Sequence, residues 1–413
     1  MGIETYNPFL RKFATFFLFL YSFQYIPIEG AGISNIKVLL MTIAIFILLT
    51  RTLKFSKAFI IGIVYLLFQF LIASFHPDSF RSSTLVYSAL LVFTYICFYN
   101  LITIEKVFTI NYFIRIIRLF IKICFIVTIV QQIFTIIGLN YFPIFNLYLG
   151  LNRGLGCNSL FLEPSHFGRF MLVAYYAYIK CCEYKRDEGP FSLKELVNGE
   201  HKWVTIQFLW MITTMGSGTA FVGLIFLSLY FIRKHNWYYT IPALLIAYSL
   251  TQFFEIEALD RATNTLEATT SLNNETIQDA DGSASVRIAP IVNSINADIT
   301  KFETWFGKGI DSGVNIHYMA RTLFDDYGLV FYIISLFFNF TCAYTVLSLG
   351  TVFMFTGIGG GSGGNVQYAW ALMMIMTCVK YFHDNRYNPD IYEEEDVFEN
   401  PLIETTDIAT DNA

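Results

Sequence analysis

Charge is what this chain has least of. Of its 413 residues only 14% are Asp, Glu, Lys or Arg, while 55% are hydrophobic. An ordinary soluble domain carries about 25% charged residues. That deficit, with a mean hydropathy of +0.52, argues against a water-soluble globule and for a polytopic membrane protein. No basic block is present, so nucleic acid is not an expected partner. No P-loop or Gly-rich dinucleotide fingerprint occurs, so no nucleotide cofactor is expected. The seven cysteines, most of them inside apolar runs (Cys97, Cys124, Cys342, Cys378), give no disulfide framework. The net charge of −5 says little, because the acids gather in one loop and in the tail "YEEEDVFENPLIETTDIATDNA".

What the chain does have is apolar runs. A bilayer span takes roughly 17–25 mostly apolar residues. Candidate runs lie near 13–28, 35–50, 58–75, 84–103, 112–138, 160–180, 203–232, 237–254, 328–357 and 366–382. The first lacks a small-x-small cleavage site and reads as a span rather than a signal peptide. The run at 203–232 is broken by "GSGT" and reads as two short helices. The expected fold is therefore an all-α polytopic integral membrane protein with roughly 10–12 transmembrane helices. Residues 1–382 form a single multi-span domain, and 383–413 an acidic, flexible tail. The run 328–357 suits either one tilted helix or a hairpin, and the side of the tail depends on that choice.

Basic residues orient the spans. With Arg11 and Lys12 in the cytoplasm, the loops bearing Arg51, Lys54 and Lys57, then Lys106, Arg115 and Arg118, then Lys185, Arg186, Lys194 and Lys202, all fall inside. The loops about 139–159 and 255–327 then face outward.

The outward side is where the unusual residues collect. "RGLGCNSLFLEPSHFGRFMLVAYYAYIK" places Arg153, Glu163, His166 and Arg169 at or beside the mouth of an apolar run, where charge is expensive unless it is used. The long loop adds Arg287, Lys308 and His317. Arginine offers a fork of donors suited to phosphate, and a histidine or glutamate beside it could take a proton from a hydroxyl. Blander roles exist for each. Glu163 suits a helix N-terminus ahead of Pro164, and His166 and Arg169 could be a plain interfacial pair one turn apart. "DAD" at Asp279 to Asp281 is a poor metal motif in a flexible loop, so no metal is expected.

The order "RGLGCNSLFLEPSHFG", "GSGTAFVGLIF", "SASVR…FGKGI…H…DDYGLVFYI", over roughly residues 150–332, resembles the O-antigen and exopolysaccharide repeat-unit polymerases (Wzy-type). More distantly it is similar to the O-antigen ligases, although Tyr318 and Phe331 depart from the ligase pattern around His317 and Gly328. The resemblance implies a GT-C-like membrane glycosyltransferase in the bacterial cytoplasmic membrane, with its site on the extracytoplasmic face. Its substrates would be undecaprenyl-pyrophosphate-linked oligosaccharides, with no cofactor, and with a chain-length regulator as a partner protein. It implies His317 or Glu163 as the catalytic base, and Arg153, Arg169, Arg287, His166 and Lys308 as the pyrophosphate-binding set. The competing expectations are a ligase acting on lipid A-core and a lipid-linked oligosaccharide flippase.

Overall fold

The computed structural model describes residues 7–26, 30–31, 35–79, 82–138, 156–186, 189–231, 297–309, 319–353 and 367–392, with short pieces between 264 and 292. The apolar runs within these bounds are helices: α1 (Pro8–Ser22), α2 (Asn35–Thr50), α3 (Lys57–Phe75), α4 (Ser82–Thr103), α5 (Ile110–Ile136) and α6 (Pro164–Arg186). After the short α7 (Leu193–Asn198) come α8 (Lys202–Thr214) and α9 (Gly218–Ser228). Then follow α10 (Asn274–Ala280), α11 (Phe302–Phe306), α12 (Met319–Asn339), α13 (Val346–Val352) and α14 (Gln367–Asp384). Between α1 and α2, Tyr25–Ile26 pairs antiparallel with Gly30–Ala31. The expected run 237–254 and the tail residues 393–413 lie outside the described residues.

Helix starts follow local chemistry. Asn7 Oδ1 accepts from Phe9 N and Leu10 N just ahead of Pro8. Ser56 Oγ accepts from Phe59 N, and Thr109 Oγ1 from Tyr112 N. Each supplies a partner to amides that a helix start leaves unpaired.

Contacts along α6 give the directions of its neighbours. Tyr178 meets His201, Tyr175 stacks on Phe208 at 4.0 Å, and Gly168 packs at Met215, so α8 runs antiparallel to α6. Ala220 then lies at Gly168, and Tyr230 bonds Glu183, so α9 returns beside α6 in the same direction. The GSG break is the tip of a hairpin, with Gly216 at φ +66°. Glycine adopts that conformation without steric cost.

The 328–357 run also reverses. α12 continues through a 3-10 turn, Phe340–Cys342, and the chain turns at Ala343–Thr345 into a capping box that starts α13. Tyr344 lies against His383 and Tyr184. Leu347 and Thr351 then line a small cavity with Leu172 and Tyr176, further back along α6. α14 therefore ends beside the end of α6, with the His383 and Tyr184 rings 5.8 Å apart. Tyr392 Oη donates to Tyr184 O, fixing the chain beyond α14 at that same end.

α6 and α14 are buried over most of their length. Some polar groups inside pair across helices, as where Tyr95 Oη lies 3.0 Å from both Thr341 Oγ1 and Thr377 Oγ1 and joins α4 to two other segments. The outer flanks are apolar instead: Phe46 is 66% exposed on α2, and Leu67 62% on α3. Among the described helices, Lys57–Phe75 and Ser82–Thr103 are long and apolar enough to cross a membrane.

Candidate active site

Helix α6 begins at Pro164, whose locked φ and missing N–H suit a first turn. The backbone oxygen of Glu163 accepts from His166 N and Phe167 N, both at 3.1 Å. Its carboxylate stands where the helix dipole favours negative charge. Ser165 Oγ donates to Glu163 Oε2 at 3.0 Å, and His166 Nε2 lies 3.8 Å from the same oxygen. The Glu163 side chain is 57% exposed and that of His166 18%. The helix-start role and the polar cluster thus belong to the same residue.

Gln24, just past the end of α1, sets the histidine. One atom of its amide lies 3.0 Å from Leu162 N and 3.0 Å from His166 Nδ1. A backbone N–H can only donate, so that atom is the oxygen, Oε1. His166 Nδ1 must then carry a proton, which leaves Nε2 as the acceptor in the neutral ring, turned toward Glu163. In this tautomer His166 Nε2 can take a proton but offers no donor to phosphate until it does.

The segment before Glu163 is clamped from α5. Gln131 Oε1 accepts from Ser159 N at 3.0 Å, while its Nε2 donates to Ser159 O and Asn158 Oδ1. Asn158 Nδ2 in turn donates to Phe161 O at 2.7 Å. These bonds hold Ser159 at φ +49°, a conformation a residue with a β-carbon seldom adopts. The neighbouring Gln132 points elsewhere: its amide bonds Thr214 and Trp210 on α8. Burial pushes the Cys157 thiol up to about 12, so it is not a thiolate nucleophile at neutral pH.

Two buried basic residues neighbour the cluster. Arg169, 2% exposed, lies one turn beyond His166, inside the bundle. Lys37 is fully buried on α2, and its Nζ donates to Phe23 O at 3.0 Å, one residue from Gln24. Gly168 lets the α8–α9 tip close on the first turns of α6, since a β-carbon there would stand 2.9 Å from Ala220 Cβ.

Lys308 is exposed on the segment around α11, carried by α3 and α12 rather than by α6. Phe302 and Phe306 pack on Phe75 at 5.9 and 5.6 Å. Gly328 interrupts α12 at φ +77°, with its Cα against the backbone of Trp305 and Gly307. Of the expected set, the structure places Glu163 and His166 in one cluster, with Arg169 buried one turn further along α6. Arg153, Arg287 and His317 lie outside the described residues. Among the described residues, no three His, Cys, Asp or Glu side chains gather as a metal site.

Sequence reasoning passed over Gln24, Gln131 and Lys37. Each is a polar residue in or beside an apolar run, and that placement was the available signal. No protein-family model, curated protein or solved structure matches the chain.

Proposed function

We propose that the chain is a membrane-embedded glycosyltransferase that joins lipid-pyrophosphate-linked oligosaccharide repeat units into a surface polysaccharide. The observation that carries this reading is the cluster of Glu163, Ser165 and His166, held by Gln24 and followed one turn on by buried Arg169, at one end of a helical bundle with apolar flanks. Large exposed apolar surface on helices suits lipid contact. Arg11, Lys54, Lys106, Arg186, Lys202 and Arg386 all lie toward the opposite end of the bundle. That asymmetry favours placing their end in the cytoplasm and the Glu163 end outside.

In the proposed reaction Glu163 or His317 takes the proton of the acceptor's terminal sugar hydroxyl. The hydroxyl oxygen bonds to the donor anomeric carbon as the bond from that carbon to the pyrophosphate oxygen breaks. The departing lipid pyrophosphate carries the charge, which Arg153 and Arg287 hold, with Lys308 and, once protonated, His166 as further donors, while buried Arg169 contributes its charge from inside the bundle. The donor supplies the bond energy, so no nucleotide is consumed. Loss of one such donor to a developing anion costs about 10²–10³ in rate.

The test is the surface glycan of cells lacking the gene, with lipid-linked intermediates extracted beside it. A profile cut to a single repeat unit, restored by wild type but not by Arg287→Ala, supports polymerisation. Lipid-linked polymer that never reaches its final acceptor means a ligase. Single units trapped on the inner face mean a flippase.

A further inference from the structure

At the end of the bundle opposite Glu163, a cleft of about 390 Å³ opens between the start of α3, the end of α4 and the end of α14. Its volume lies in the range of small-ligand sites. Lys54, Lys57 and Lys380 line it, with Ser56, Tyr99, Thr103 and Asn385 as further polar groups. The one carboxylate in the lining, Asp384, already pairs with Lys380. Three cations against one engaged acid leave the cleft positive.

The walls are built rather than incidental. Asn100, fully buried on α4, donates through Nδ2 to Thr52 O at 2.7 Å and fixes the loop that carries Lys54. Ser56 caps α3, so Lys57 stands at a helix N-terminus whose dipole adds to the positive field. Beside the lysines the surface turns apolar: Leu53 is 50%, Phe55 82% and Ile60 54% exposed. A soluble anion has no use for such a rim. An amphiphile with an anionic head and a greasy tail fits both halves.

We propose that this cleft is a binding site for the phosphate of a lipid headgroup, separate from the Glu163 cluster. The inference rests on the membrane placement given above, and the site would anchor α3, α4 and α14 at the cytoplasmic leaflet. A lysine near an anionic surface contributes about fivefold in binding.

Native mass spectrometry of the full chain in detergent tests it, with phosphatidylglycerol or phosphatidylcholine added. The expected result is selective retention of phosphatidylglycerol. Retention falls about fivefold for each lysine removed in Lys54→Gln and Lys57→Gln, and stays unchanged in Lys194→Gln on α7. Equal retention of the two lipids, or retention that ignores Lys54 and Lys57, overturns the site. Inorganic phosphate that binds at the same lysines while phosphatidylglycerol does not overturns the lipid assignment. Melting curves of each variant report folding. A chain soluble without detergent would sink the membrane reading itself, whereas lipid binding blind to the lysines sinks the cleft alone.

Discussion

Gln24 Oε1 and His166 Nδ1 meet at 3.0 Å although 142 residues separate them in the chain. The same oxygen accepts from Leu162 N, so one amide both fixes the imidazole tautomer and pins the strand of chain that leads to Glu163.

Replacing Gln24 by Ala strips a partner from two donors at a largely enclosed position. The expected cost is about 1–3 kcal/mol in stability for the group left unsatisfied. The sharper readout is nitrogen NMR of labelled histidine. Wild type shows the Nδ1–H form of His166, Gln24→Ala shows a tautomer mixture, and Gln24→Glu, which keeps the acceptor, keeps Nδ1 protonated while its charge favours the imidazolium. An unchanged His166 spectrum in Gln24→Ala would disprove the assignment.

Gly328 gives a second prediction. A β-carbon there would collide with Trp305 O and stand 2.5 Å from Gly307 N, on a backbone at φ +77°. Strained φ alone costs about 1–3 kcal/mol in a residue with a side chain. Gly328→Ala should therefore release the segment around α11 from α12, seen as new protease cleavage between 297 and 309. Cleavage no faster than in wild type would mean the docking is dispensable.

A third concerns pH. Arg118 Nε and Nη2 can only donate, so Tyr178 Oη accepts from them and its own hydrogen goes to His201 Nδ1 at 2.7 Å. His201 then carries its proton on Nε2, which faces Glu200 at 3.3 Å. Burial first, then the Arg118 and Arg186 charges, hold the folded imidazole below its ordinary 6.5, against the opposing pull of Glu200 and Glu195. The unfolded chain binds the proton more readily, so this residue's contribution to stability is complete above pH 6.5 and declines as pH falls beneath it. Melting temperatures between pH 5 and 8 should drop toward acid in wild type, with a shallower slope in His201→Gln. Identical slopes would remove His201 from the account of acid sensitivity.

Much of the helical frame was legible because apolar runs bounded by caps and glycines are local signals. The GSG break became the α8–α9 tip, and Glu163 with Pro164 became the start of α6. Longer-range features were not legible. Nothing within the run 328–357 says that Ala343–Thr345 reverses the chain; that follows from Tyr344 settling against Tyr184 and His383. The clamp on Ser159 joins residues 28 apart, and which of Gln131 and Gln132 faces it depends on how α5 packs. Arg169 reads from the sequence either as a pyrophosphate ligand or as a partner of His166 at the interface; that it is 2% exposed depends on how the helices pack and has no local signal.

The most direct test of the proposed chemistry is an assay of the full chain reconstituted into vesicles and supplied with lipid-linked single repeat units. Product lengths are read on a gel for wild type, Glu163→Gln and His317→Gln, with melting curves beside each. The proposal predicts a ladder of polymer lengths from wild type, lost by about 10²-fold or more in at least one of the two variants while that variant stays folded. A ladder unchanged in both, or none from folded wild type, would contradict it.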